Sequence, residues 1–210
     1  MAYLGTQPND VKKNTGLYSP KEILQLTKDG SWGGSLELID TISFSSGVST
    51  VSATNLQEDK YDVHLVHFKN FEITTSGGGT CQTNFQLAEN GTFTTSGYQR
   101  AVQGGNADGS TFEGKSTSDS RIFNAYSTGN GNNINFSLYM YIYNAGNSSK
   151  YTFITTQLAK DEAGVFQYQF GGGVLPTASK VTGVRAIESV GGTYDSFEVK
   201  VYGVKQIWVT

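Results

Sequence analysis

The sequence is poor in the residues that site chemistry uses most. Its 210 residues contain a single cysteine, Cys81, so neither an intramolecular disulfide nor a cysteine metal cluster can form. That fits assembly in a reducing cytoplasm. There are only two histidines, His64 and His67. Residues three apart on a strand point to opposite faces, so the pair cannot share a metal ion. With no third histidine and one thiol, no zinc site is expected. Charged residues make up 16% of the chain and the net charge is −3, against about a quarter charged in ordinary domains. A nucleic-acid binder would carry a basic patch, and the nearest candidate is Lys12-Lys13, a solvated pair. No apolar run approaches transmembrane length, so no membrane insertion is expected. The start, Met1-Ala2-Tyr3-Leu4-Gly5, has neither the basic nor the apolar stretch of a signal peptide.

Catalytic motifs are equally scarce. No Gly-x-Ser-x-Gly elbow is present. Cys81 follows Gly77-Gly78-Gly79-Thr80 with no base beside it to lower its pKa. Gly77-Gly78-Gly79 and Gly171-Gly172-Gly173 lack the Gly-Lys-Ser/Thr ending of a phosphate loop and read as turns or close backbone contacts. Glu58, Asp59, Asp62, Glu89, Glu113 and Asp119 could supply the facing carboxylates of a glycosidase, but their setting reads as loop and surface acids. Asp108-Gly109-Ser110 and Asp119 offer hard oxygen ligands, yet their spacing fits no calcium loop. The chain is therefore expected to be no enzyme, with no catalytic residue, cofactor or metal.

What the chain has in quantity is glycine (26), tyrosine (12) and phenylalanine (12), among many Ser, Thr and Asn residues. The aromatics and threonine favour strands; glycine and asparagine favour turns. One helix start is legible. Ser19 can cap it, Pro20 suits the first helical position, Glu22 completes a capping box, and Tyr18 and Ile23 form a staple. Ile23, Leu24 and Leu26 give an apolar face, and Asp29-Gly30 ends the helix, which spans about 20–29. So short a helix is marginal alone in water and must pack on something. Ser31-Trp32-Gly33-Gly34-Ser35 reads as a hinge with one aromatic anchor.

From Leu36 onward the pattern is strands. Tyr61 to Phe68 is apolar on both faces and reads as a strand covered on both sides. Phe85 to Thr94 reads as a hairpin turning at Asn90-Gly91. Residues 101–121 read as a long loop. Ile134, Phe136, Leu138, Met140 and Ile142 alternate onto one core face, which leaves Tyr139, Tyr141 and Tyr143 as a stripe on the other. Tyr151–Thr155 and Val165–Phe170 follow, the latter placing Phe166, Tyr168 and Phe170 together. Phe197, Val199 and Val201 share a face, and Gly203 reads as a bulge. Eight to ten strands at hairpin spacing predict an all-β fold: a single antiparallel β-sandwich, jelly-roll-like, over 35–210, behind an N-terminal arm, 1–34, with one short helix.

The layout resembles a family of small virion structural proteins of marine tailed bacteriophages. The residues that carry it are Asn14-Thr15-Gly16-Leu17-Tyr18-Ser19-Pro20-Lys21-Glu22, Trp32-Gly33-Gly34-Ser35-Leu36-Glu37-Leu38-Ile39 and Lys60-Tyr61-Asp62-Val63-His64. Near the end come Ala178-Ser179-Lys180-Val181-Thr182-Gly183-Val184-Arg185 and Val201-Tyr202-Gly203-Val204-Lys205. The resemblance implies a place on the virion surface after assembly in the host cytoplasm, as capsid decoration or knob protein or as a tail or fibre component. It implies other virion proteins as partners and a homo-oligomer, with a trimer expected by analogy. On this reading Tyr18, Ile23, Leu24, Leu26 and Trp32 form a docking arm. Tyr139, Tyr141 and Tyr143 form a subunit interface or a platform for a host surface glycan, since tyrosine joins a large apolar face to a polar tip. The alternative is a receptor- or carbohydrate-binding module for host attachment.

Overall fold

The computed structural model describes residues 20–21, 24–25, 36–45, 47–74, 82–126, 134–162 and 164–205. The chain divides into two compact units, Met1–Ser35 and Leu36–Thr210. In the first, Pro20, Lys21, Leu24 and Gln25 are helical and exposed; the capping residues Ser19 and Glu22 and the arm residues Tyr18, Ile23, Leu26 and Trp32 lie outside the described residues, as does Cys81.

The second unit is all β. Its strands are β1 (Leu36–Phe44), β2 (Thr50–Ala53), β3 (Val63–Thr74), β4 (Gln82–Glu89), β5 (Thr92–Phe93), β6 (Tyr98–Asn106), β7 (Thr111–Asp119), β8 (Phe123–Tyr126), β9 (Ile134–Tyr143), β10 (Thr152–Glu162), β11 (Val165–Leu175), β12 (Val181–Glu188) and β13 (Thr193–Val204). They form two antiparallel sheets. The wide sheet has eight strands in the order β1-β13-β3-β9-β10-β11-β6-β7, and the narrow one runs β2-β12-β4-β5, with β8 also paired to β4. One hydrophobic core draws side chains from both sheets, so the unit is a β-sandwich.

The expected alternation in β9 is present: Ile134, Phe136, Leu138, Met140 and Ile142 are all buried. Phe197, Val199 and Val201 of β13 are buried beside them. In β3 the alternation is interrupted. Asn70 adopts φ 53°, a left-handed conformation that asparagine tolerates, and the pairing with β9 shifts register between Phe68 and Phe71. Both phenylalanines therefore face the core. Phe71 is the centre of an aromatic cluster, with ring centroids 5.7 Å from Phe68 and 5.1 Å from each of Phe136, Tyr194 and Phe197. Phe68 meets Phe85 of the narrow sheet at 5.0 Å. Tyr98 ties the sheets together with its hydroxyl, which accepts from the Leu87 amide at 2.9 Å and lies 3.0 Å from the Thr94 carbonyl. Burial pushes that phenol up to about 12.

Four sequence expectations need correction. Residues 101–121 are not a loop but most of the β6–β7 hairpin, closed by Asn106 and Ser110 (amide to carbonyl, 2.8 Å), with Asp108 Oδ1 accepting from the Ser110 amide at 2.9 Å. Their Gly and Ser content hides a period-2 pattern in which Phe112, Gly114 and Ser116 turn inward. Thirteen strands are described rather than eight to ten, because β2 and β8 are too short to show a period and β6 and β7 fall largely in the segment read as a loop. Gly203 is no bulge: it pairs regularly with His64, and a β-carbon there would lie 2.4 Å from the Tyr61 ring. By contrast, Asn90-Gly91 turns the β4–β5 hairpin as read, with φ 48° and 87°. Nor is β3 covered on both sides: His64 and Val66 are fully buried, while Val63, Leu65 and His67 on the outer face are half-buried.

Two measurements follow from this packing. Gly203→Ala should cost about 1–3 kcal/mol in urea unfolding, the usual range for overpacking, and adding Tyr61→Leu should recover part of it. Burial pushes His64 below its ordinary 6.5, against the raising influence of the Leu56 backbone, Glu58 and Asp62. The unfolded chain then binds the proton more readily, so stability is full above about pH 6.5 and falls as pH drops toward the lowered folded value, at up to about 1.4 kcal/mol per pH unit. The urea midpoint measured from pH 7.5 to 5 should show this, and His64→Leu should flatten it in part, since burial also lowers His67.

Candidate functional site: an aromatic face on the wide sheet

The outer face of the wide sheet follows from the parity of its inner one. Residues opposite each other in an antiparallel pair share a face. The pairings Val199↔Phe68, Phe68↔Leu138, Leu138↔Leu158, Leu158↔Gln169, Gln169↔Gly104 and Gly104↔Phe112 run one inward row across seven strands. Leu158 must be inside to fill the core, so its partner Gln169 must be inside too. As a result β11 is inverted relative to an ordinary strand. Gln167 and Gln169 are 4% and 1% exposed, while Phe166, Tyr168 and Phe170 are 53%, 43% and 48% exposed.

These rings join the tyrosine stripe of β9. Successive outward rows are Tyr143–Phe153–Val174, then Tyr141–Thr155–Gly172, then Tyr139–Gln157–Phe170, then Ser137–Ala159–Tyr168. Tyr139 and Phe153 are largely exposed, and Tyr141 and Tyr143 half-buried. The Tyr141 and Tyr143 rings stack at 6.2 Å, and Tyr168 and Phe170 at 6.4 Å with planes 2° apart. Polar tips are held within the face: the Tyr139 hydroxyl bonds Gln157 Oε1, and Tyr143 Oη lies 3.1 Å from Thr155 Oγ1. The Tyr168 ring lies across Gly105, where a β-carbon would come within 3.1 Å of it.

Charge stands at the edges. On one flank Glu198 Oε1 lies 3.3 Å from both Lys69 Nζ and Lys200 Nζ. His67 beside them is pushed below its ordinary value by burial and by those two lysines. On the other flank Glu113 and Lys115 of β7 are exposed. Next to Lys115 a shallow trough of about 780 Å³ opens over Gly172, walled by Gln99, Ala101, Phe153 and Thr155.

The candidate residues of the sequence fall as follows. Tyr139, Tyr141 and Tyr143 are together on this face, and Leu24, 55% exposed, is the one docking-arm residue described. His64 and His67 face opposite sides of β3. The acids do not converge. Glu89 Oε1 accepts from Ser179 at 2.7 Å, Asp59 pairs with Lys180, and Asp119 Oδ2 accepts from Arg100 Nε at 2.6 Å. Asp108 and Asp119 sit at opposite ends of β7, roughly 30 Å apart at strand rise. No group of three metal-ligating side chains occurs among the described residues. Phe153, Phe166, Tyr168 and Phe170 were not recognised as part of the face from sequence. The alternation of 165–170 places Phe166, Tyr168 and Phe170 together, but which face of the sheet they take is set by the pairing with β10.

No family model, curated protein or solved structure matches this chain.

Because the outward rings contribute little to the core, Phe166→Ser and Phe170→Ser should each change stability by under about 1 kcal/mol. Phe71→Ala should cost about 3–5 kcal/mol. Urea unfolding of the three variants separates the surface aromatics from the core.

Proposed function

We propose that this chain is a non-enzymatic structural protein of a phage particle, a capsid decoration or a tail or fibre component. Its N-terminal arm, 1–34, with a helix at about 20–29, docks on the particle, and its sandwich, 35–210, is displayed and packs against other virion subunits through the aromatic face. The observation that carries this is the inversion of β11, which buries glutamines and exposes three aromatic rings. A chain that ends its working life with that face in water would gain by the opposite parity. The face spans about four strands by eight residues, roughly 500 Å² at the usual strand spacing and rise. That is the size of a functional patch on a monomer, and with the flanking charged strands it approaches the 800 Å² or so per partner of a standard interface. Its apolar centre and charged edges match interface anatomy.

The sandwich itself reads as a jelly roll. Lettering β1, β2, β3, β4, β5, β9, β12 and β13 as B to I, the sheets run B-I-D-G and C-H-E-F, the jelly-roll order. Strands β10, β11, β6 and β7 extend the first sheet beyond G. Viral capsid proteins use this architecture, and so do lectins, and a fold alone does not choose between them.

A second reading, a receptor- or carbohydrate-binding module, is favoured by the trough. It sets Phe153 beside the amide and hydroxyl groups of Gln99 and Thr155 over a glycine floor, a surface on which a sugar ring can stack and hydrogen-bond.

Particles of the phage that encodes the chain test the first reading. Quantitative mass spectrometry should find the full-length protein in purified virions, in hundreds of copies for decoration and far fewer for a tail or fibre. A chain lacking residues 1–34 should fold and be missing from the particles. Retained attachment would overturn the docking role.

A further inference from the structure

The inward side of the β6–β7 hairpin holds a second feature, unrelated to the aromatic face. A cavity of about 250 Å³ opens between β6, β7, β8 and the start of β4. Two arginines line it, Arg100 and Arg121, and both are held by one carboxylate, Asp119: Arg100 Nε donates to Oδ2 at 2.6 Å and Arg121 Nε lies 3.2 Å from Oδ1. Arg121 also donates from Nη1 to Asn84 Oδ1 at 2.8 Å. Gly114 makes room for the Arg100 head, since a β-carbon there would lie 2.9 Å from Nη1.

Three local properties point to a ligand. Two positive charges meet one negative charge in a place where the Arg100, Arg121 and Asp119 side chains are only 9%, 22% and 12% exposed, so one partly buried positive charge is left over, which favours an anionic partner. Glu113 stands at the rim, exposed, and no ion pair among the described residues joins it to either arginine. Next, Asn124 lines the cavity at 4% exposure, and its Oδ1 is buried without a hydrogen-bond partner. An orphaned buried acceptor is destabilising unless something donates to it. Last, Phe112 supplies an apolar wall beside these polar groups.

We propose that this cavity binds one acidic sugar unit, a hexuronic acid or similar hydroxy acid, within a larger glycan. Its carboxylate would answer the excess guanidinium charge of Arg100 and Arg121, in the pairing that guanidinium makes best. A ring hydroxyl would donate to Asn124 Oδ1, and the ring's C–H face would rest on Phe112. The volume admits a single ring. A simple anion would satisfy the arginines but leave Asn124 unpaired, and a neutral sugar would do the reverse.

Nuclear magnetic resonance on the full-length, ¹⁵N-labelled chain tests this with glucuronate and galacturonate as probes, glucose as the neutral control and acetate as the charge-only control. At least one uronate should give saturable shifts in the Asn124 side-chain amide and the Arg100 and Arg121 Nε signals. Glucose and acetate should each bind about tenfold more weakly or worse, a factor equivalent to about 1.4 kcal/mol. Arg121→Gln should lose a similar factor for the uronate. Absence of saturable shifts at these groups overturns the site, and acetate binding as well as the uronates overturns the sugar. If Arg121→Gln fails to fold, the mapping on the unaltered chain still decides. None of these readouts involves the particle or the aromatic face, so failure here is separate from failure of the virion reading.

Discussion

Pleat parity in the wide sheet is the constraint on which the rest of this structure depends. Successive side chains on a strand alternate faces, and paired residues share one. Once Phe68, Leu138 and Leu158 commit to the core, every strand farther out is committed as well. Gln169 must point in, Phe170 must point out, and Gly104 must be small because the Phe112 ring lies across it, within 2.3 Å of where a β-carbon would be. A slip of one residue would reverse all of this at once. The Asn70 bulge in β3 has the same significance at the other side of the core: it resets the parity so that Phe68 and Phe71 can both enter the aromatic cluster.

The sandwich is asymmetric in a way that explains where its unusual surfaces lie. The narrow sheet has four strands in its path and the wide one eight. The apolar core sits where the two overlap. Around it the inward face of β10, β11, β6 and β7 also takes polar residues, Lys160, Gln167, Gln169 and Arg100, and backbone carbonyls take part: Gln169 Nε2 donates to the Asn124 carbonyl at 2.8 Å, as Gln86 Nε2 of β4 in the narrow sheet does to the Ser120 carbonyl at 2.7 Å. These hydrogen bonds make burial of amides tolerable. Phe153 of β10 and Phe166, Tyr168 and Phe170 of β11 are thereby left on the outside.

How legible this was depended on the strength of the period. β9 carries five apolar residues in strict alternation, and its core face and tyrosine stripe could be read directly. The Asn-Gly hairpin was legible because its turn requires φ > 0 at both positions. The β6–β7 hairpin was not, because glycine, serine and threonine carry little hydrophobic signal, and what pairs these strands is backbone hydrogen bonding. The aromatic face was half legible. Three of its residues lie on β9, whereas Phe166, Tyr168 and Phe170 are exposed only because a neighbouring strand dictates their parity, and that information is non-local. The arginine pair was invisible for the same reason: Arg100 and Arg121 are twenty-one positions apart in sequence and meet only through Asp119.

The direction of the inversion is itself an argument about history. Exposed rings and buried amides each cost a little, and a sequence free to drift would exchange them, since serine or threonine at 166, 168 and 170 would leave the core untouched. Burying a ring is worth on the order of 1.5–3 kcal/mol relative to leaving it in water. Three rings kept outside together therefore represent a stabilisation that the isolated chain does not collect and that an assembly could. The inward polar pocket follows the same logic at smaller scale: an unpaired acceptor and a surplus guanidinium are costs to the lone chain that a ligand removes. Both surfaces are places where the folded chain alone is left incomplete, and both involve the strands β6, β7, β10 and β11 that extend the wide sheet, the aromatic face continuing onto β9 and the pocket onto β8 and the start of β4. That extension, and not the sandwich core, is where this chain meets other molecules on the reading argued above.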